Sequence, residues 1–109
     1  MKKKNRVKKH EEFQKLIHSG IKSANQSFVL YRMPAKEAEG RMGITLSKKI
    51  GNAVKRNLIK RQVRMMCQDL IDFENWKYDG VLIVRFGYLS CSFEQNKKNL
   101  EKLLSKATI

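Results

Sequence analysis

Asn52-Ala53-Val54-Lys55-Arg56-Asn57-Leu58-Ile59-Lys60-Arg61-Gln62-Val63-Arg64-Met65-Met66-Cys67-Gln68-Asp69-Leu70 is the stretch on which the fold turns. Asn52 follows Gly51 and suits a helix N-cap, where its side-chain oxygen can take a free backbone N–H. At roughly 100° per residue, Val54, Leu58, Ile59, Met65, Met66 and Leu70 gather on one half of a cylinder. Arg56, Asn57, Lys60, Arg61 and Arg64 gather on the other. The pattern predicts the longest helix of the chain, from Asn52 to Phe73.

Strands are expected on both sides of it. Upstream, Arg41 to Ser47 alternates, with Met42, Ile44 and Leu46 on one face. Downstream, Val81 to Phe86 is nearly continuous in apolar residues, as in a strand covered on both faces. Pro34 to Gly40 is a loop by composition, and residues 21–33 read as extended, richest in β-formers from Gln26 to Met33. Phe13, Leu16 and Ile17 follow i, i+3, i+4 spacing, which predicts a helix from His10 to Ser19 ended by Gly20. Ser92 with Gln95 forms a capping-box pattern ahead of a last helix lined by Leu100, Leu103 and Leu104. The order is helix, two or three strands, long helix, strand, helix. It implies an α+β two-layer sandwich with the helices packed on one sheet.

The chain has 109 residues and is 41% hydrophobic, which suits one domain over 1–109 and excludes a two-domain enzyme. No segment approaches the roughly 20 apolar residues of a membrane span. The opening Lys run is followed by His10-Glu11-Glu12, where a signal peptide needs an apolar core. Cys67 and Cys91 lack the spacing of a disulfide scaffold or zinc module and read as free thiols. A cytoplasmic protein is expected.

Charge narrows the function. Lys and Arg number 24 against 10 Asp and Glu, a net charge of +14. Residues 1–10 hold six basic side chains and residues 40–68 hold eight, both without an acid, so the rest of the chain is neutral. An ordinary surface mixes the signs. Two acid-free blocks that carry the whole excess point to a polyanion. The first, residues 1–9, reads as a flexible basic lead.

Within the second block, Arg56, Lys60 and Arg64 are spaced i, i+4, i+8 and form a ridge, with Arg61 and Asn57 on the adjoining row. Such a ridge can follow a phosphate backbone, each guanidinium fork binding a pair of phosphate oxygens. Asn57 could bond a base edge or a ribose hydroxyl. A merely solvated face is the alternative, but no acid stands at i±3 or i±4 to relieve the repulsion. Three readings compete: cofactor of an RNA enzyme, structural RNA-binding protein such as a ribosomal protein, and protein nuclease. The third is weakest. The carboxylates form no paired cluster, His10 and His18 lie two helical turns apart, and there is no GxxxxGK[ST] pattern for a nucleotide.

The chain closely resembles the bacterial ribonuclease P protein component. The resemblance runs through Asn5-Arg6-Val7-Lys8-Lys9, Phe13-Gln14, Ser27-Phe28-Val29-Leu30-Tyr31 and Gly43-Ile44-Thr45-Leu46-Ser47-Lys48-Lys49. It is most specific over Ser47-Lys48-Lys49-Ile50-Gly51-Asn52-Ala53-Val54, followed by Arg56-Asn57 and Lys60-Arg61. It implies a subunit without catalytic residues, whose RNA partner holds Mg2+ and removes the 5′ leader of precursor tRNA. Neither a membrane nor a nucleotide cofactor is implied. On this reading Lys49, Asn52, Arg56, Asn57, Lys60, Arg61 and Arg64 contact the catalytic RNA. Arg6, Phe13, Ile17, Tyr31, Thr45, Lys48 and Arg85 match positions that bind the leader, in a cleft between the first helix and the sheet. The resemblance also implies a left-handed βαβ crossover across the long helix, where the general rule favours the right-handed one.

Single-stranded RNA is held by aromatic stacking in a basic groove, at about 1–3 kcal/mol per stacked base. Phe13 and Tyr31 could supply platforms, although Phe13 at helical spacing suits a core equally well. Three departures stand out. Ile17 replaces a frequent aromatic, Phe86-Gly87-Tyr88-Leu89 replaces a basic, proline-containing loop, and Met65-Met66 stands where a polar pair is common and reads as local packing.

Overall fold

A computed structural model describes residues 2–107. Met1 of the basic lead, and Thr108 and Ile109 at the end of the expected domain, lie outside the described residues. The long segment folds as α2 (Ala53–Leu70), capped by Asn52, whose Oδ1 accepts from the Lys55 amide at 2.9 Å. Before it come α1 (His10–Ser19), β1 (Ile21–Ala24), β2 (Phe28–Pro34) and β3 (Arg41–Leu46); after it come β4 (Tyr78–Val84) and α3 (Phe93–Ala107). The order is αβββαβα. The sheet runs β1-β2-β4-β3, with β1/β2 and β2/β4 antiparallel and β3/β4 parallel, so α2 is the crossover between two parallel neighbours.

The layering differs from expectation. In a strand, alternate side chains point to opposite faces. Phe28, Leu30, Met42, Leu82 and Val84 enter one core with Ile59, Val63, Met66 and Cys67 of α2 and Leu100, Leu103 and Leu104 of α3. Val81 points the other way and is buried with Val7 and Leu16, with Phe13, Ile17, Met33 and Ile83 packed around them. Helices therefore cover both faces, and the sheet is the middle of three layers.

A second correction concerns α2. Its buried stripe is Ile59, Val63, Met66 and Cys67, an arc of about 100° at helical spacing. Val54 (79% exposed), Leu58 (46%) and Met65 (54%) stand on a separate ridge facing solvent, so of the Met65-Met66 pair only Met66 packs. Element ends also moved. The helix stops at Leu70 because Ile71 turns extended and the Asp72 carboxylate accepts from the Glu74 amide and from Asn75 Nδ2. Strand β4 starts earlier, at Tyr78, and stops at Val84, since β2 begins at Phe28 and offers residue 86 no partner. Phe86 opens a 3₁₀ turn and is 66% exposed. Half of the predicted capping box forms: Ser92 Oγ accepts from the Gln95 amide at 3.2 Å, but the Gln95 side chain turns to Asn99.

The basic lead is not a loose arm over its described part. Lys3–Asn5 make a 3₁₀ turn, and Arg6 pairs with Met42 as an extra parallel bridge along the β3 edge. Asn5 is buried and donates from Nδ2 to the Gly40 carbonyl at 3.0 Å, while Lys4 pairs with Glu39 at 2.8 Å. The pairing fixes an alternation: Val7 goes into the α1-side core and Arg6 to the α2 side.

Candidate nucleic-acid interface

The α1 face carries a groove. Register places Val29, Ile83 and Thr45 in one row across β2, β4 and β3, with Tyr31, Val81 and Gly43 in the row behind. Helix α1 lies over the second row: Leu16 packs on Val81, and the Phe13 ring lies against Gly43. A Cβ at Gly43 would stand 2.6 Å from Phe13 Cζ, closer than real carbon atoms approach, so glycine is what lets the ring sit on the strand. His10, Phe13, Gln14 and Ile17 project from one side of α1 at i, i+3, i+4, i+7 spacing. With Lys8, Ile44, Thr45 and Lys60 they line a groove of about 350 Å³.

The predicted leader set is thus partly gathered. Phe13, Ile17 and Thr45 share the groove. Tyr31 stands half-buried on the same sheet face, away from the lining. Lys48 is exposed in the 3₁₀ turn after β3. Arg85 sits beyond the end of β4 and donates to the Asn25 carbonyl at 2.8 Å, joining a buried polar knot in which Ser27 Oγ donates to Asn96 Oδ1 at 2.7 Å and Asn99 Nδ2 donates to Ser27 Oγ at 2.8 Å. Arg6 lies on the other side of the β3 edge. There it lines a second groove, about 530 Å³, with Arg61, Arg64, Met65, Gln68 and Asp69. Lys8, His10, Gln14 and Ile44 were not anticipated in the first groove. The helical spacing of His10 and Gln14 with Ile17 was the available signal.

Lys60 also crosses between sets: expected on the catalytic-RNA ridge, it reaches the α1-side groove. The rest of the ridge is as spacing dictates. Arg56 and Arg64 are half-buried, while Asn57 and Arg61 are exposed. Lys49 lies in the 3₁₀ turn, its amide bonded to Ser47 Oγ, and Asn52 is occupied as the helix cap. The ion pairs among the described residues are Lys4–Glu39, Arg41–Glu12, Arg41–Asp79 and Lys97–Asp69. None involves a basic residue of the 48–64 segment.

Arg41 is the counterexample. Its Nε and Nη2 donate to both oxygens of buried Asp79, at 3.2 and 3.0 Å, and Nη2 also donates to Glu12 at 2.6 Å. These bonds raise the Arg41 pKa and hold the Glu12 carboxyl below the usual glutamate range. The Cys67 thiol is pushed up to about 12 by burial and is no nucleophile at neutral pH. Among the described residues, no group of three His, Cys, Asp or Glu side chains could hold a metal ion, and no helix is long and apolar enough to cross a membrane.

Known proteins share this architecture. The protein-family model for ribonuclease P matches residues 1–108. The ribonuclease P protein component of Bacillus velezensis is 44% identical over 110 residues, covering 100% of this chain and 94% of the relative. The structure of a Staphylococcus aureus RNase P protein mutant with defective mRNA degradation activity superposes with a TM-score of 0.86 at 35% identity, over 97% of this chain and 90% of that one. The RNase P protein from Thermotoga maritima gives 0.79 at 25% identity, over 93% and 96%. A matched family profile, full-length sequence identity and a shared αβββαβα fold agree, and the chain belongs to the bacterial ribonuclease P protein component family.

Proposed function

We propose that the two sides of this protein hold two different RNA segments, so that it acts as the binding subunit of a ribonuclease P ribonucleoprotein. The α2 ridge, with Lys49, Asn52, Arg56, Asn57, Arg61 and Arg64, grips the catalytic RNA. The α1-side groove, with Phe13, Ile17 and Thr45, receives the 5′ leader of precursor tRNA, and Tyr31, Lys48 and Arg85 extend its track along the same sheet face and end. The observation that carries this is the row of α2 cations with no acidic ion-pair partner among the described residues, beside a groove that combines an aromatic ring, β-branched side chains and two lysines.

The chemistry of each side suits its role. Unpaired guanidinium groups keep their forks free for phosphate oxygens, and each contact releases a condensed counterion. In the groove, Phe13 and Ile17 offer flat and apolar surfaces to an unstacked base, and Lys8 and Lys60 draw the backbone in. No proton transfer or nucleophilic attack is assigned to this chain. Glu12 and Asp79 are both held by Arg41 and do not offer a magnesium cage. Mg2+ belongs in this scheme to the RNA subunit, which breaks the bond; the setting is the cytoplasm.

The test is reconstitution. Protein, a bacterial ribonuclease P RNA and a precursor tRNA are combined at low magnesium, and release of the 5′ leader is followed. The protein is expected to raise the cleavage rate, and protein without RNA to cleave nothing. A rate that the protein never improves would remove the cofactor role in favour of a structural RNA-binding protein. Cleavage by RNA-free protein would instead restore the nuclease reading.

A further inference from the structure

We propose that the Arg41 node and the Gly43 seat are a positioning device that sets α1 over the sheet and thereby fixes the width of the groove. The inference rests on the leader-binding reading above and adds to it residues that touch no RNA.

Helix α1 has ten residues, too few to be stable without tertiary support. Its N-cap Lys9 makes no side-chain cap. What fixes this end is Glu12, held at 2.6 Å by Arg41 of β3, which is itself locked in a two-pronged pair with buried Asp79 of β4. One residue further on, the Phe13 ring rests on Gly43, two positions along β3 from Arg41. The other end closes where Gly20 packs against the Arg32 backbone of β2; a Cβ there would come 3.1 Å from the Arg32 carbonyl. The helix is pinned at both ends across the strands, and Phe13 and Ile17, one turn apart between the pins, form the groove wall.

A planar guanidinium with three directed bonds holds both acids at fixed angles, which an ammonium cannot do. The node lies on the α1 side of the sheet, where Arg41 bonds Glu12 and Gly43 meets Phe13, whereas α2 packs on the opposite face. Loosening it should change leader recognition and leave the grip on the catalytic RNA alone.

The experiment uses the reconstituted holoenzyme with Glu12→Gln, Arg41→Lys and Gly43→Ala, comparing affinity for precursor tRNA with affinity for mature tRNA. Each variant is expected to weaken precursor binding about fivefold while mature tRNA and protein–RNA affinities stay within about twofold. The defect should vanish on a substrate whose leader is cut to one nucleotide, a dependence that simple loss of stability would not produce. Glu12→Asp, which keeps the charge, should recover part of the loss. Equal weakening for both tRNAs, or unchanged precursor binding in soluble, folded variants, would overturn the proposal. Phe13→Ala separates the two layers of inference. If it loses the precursor preference while the node variants keep it, only the positioning role falls; if wild type itself shows no preference, the leader reading falls.

Discussion

The two faces of the sheet are built to different ends. On the α2 and α3 side, sixteen buried hydrophobic side chains of the described residues form one continuous core. On the α1 side three do, and Phe13, Ile17, Met33 and Ile83 are left only partly covered. The same strands feed both, because β4 alternates Val81 and Ile83 with Leu82 and Val84. One short helix over half a sheet leaves aromatic and apolar side chains lining a groove; the groove beside α2 is lined mainly by charged and polar ones. Stability is thus concentrated on the α2 and α3 side, while each side keeps a candidate binding surface of its own, apolar and aromatic beside α1 and cationic on the outer face of α2.

The contrast can be broken most sharply at Phe28, which is fully buried on the closed side. Phe28→Ala should cost about 3–5 kcal/mol of stability by chemical denaturation, whereas Phe13→Ala on the half-covered side should cost clearly less. Tyr31→Ala should come next. Precursor tRNA affinity is expected to drop by about 1–3 kcal/mol relative to mature tRNA, with RNA-subunit binding spared; equal loss for both would make Tyr31 structural. Arg56→Ala or Arg64→Ala should barely change folding but lower the salt slope of holoenzyme assembly by about one per lost phosphate contact. An unchanged slope would mean that the ridge is only solvated.

The smallest effect concerns acid. Arg41 holds the Glu12 carboxyl below its ordinary range, so the unfolded chain takes up that proton at a higher pH than the folded one. The pair's contribution is complete above the ordinary glutamate value of about 4.3 and fades as pH falls through the lowered folded value. Thermal melts between pH 6 and pH 3, chosen to span about that window, should show Glu12→Gln losing up to about 1 kcal/mol at the upper end and converging with wild type at the lower.

Element types were readable because each had a local cause. Asn52 and Ser92 cap where their side chains can reach, and the nearly continuous apolar run after Gly80 already implied a strand with cover on both faces. That clue was at odds with a single helical layer, and the strand had it right. The faces of α2 were harder. A half-cylinder of apolar residues is wider than a core needs, and nothing local distinguishes Leu58, left in solvent, from Ile59, which is buried. Least legible were partnerships across the chain. Arg41 and Asp79 are 38 residues apart, and Arg6 was sent to the α2 side by a bridge to Met42 that no spacing within residues 1–10 foretells. Lys60 illustrates the same limit for the site: its row on the helix was clear, but the groove it reaches is made by another helix.

The bridge between Arg6 and Met42 has a practical consequence for anyone shortening or tagging the molecule. An outer strand with bare amides and carbonyls is a template for association with other chains, and β3 is such a strand over Arg41 to Leu46. The stretch that looks most expendable in a basic sequence is the shield over part of that rim. Removing residues 2–8 would bare that rim to other chains and also take Val7 from the core and Lys8 from the groove.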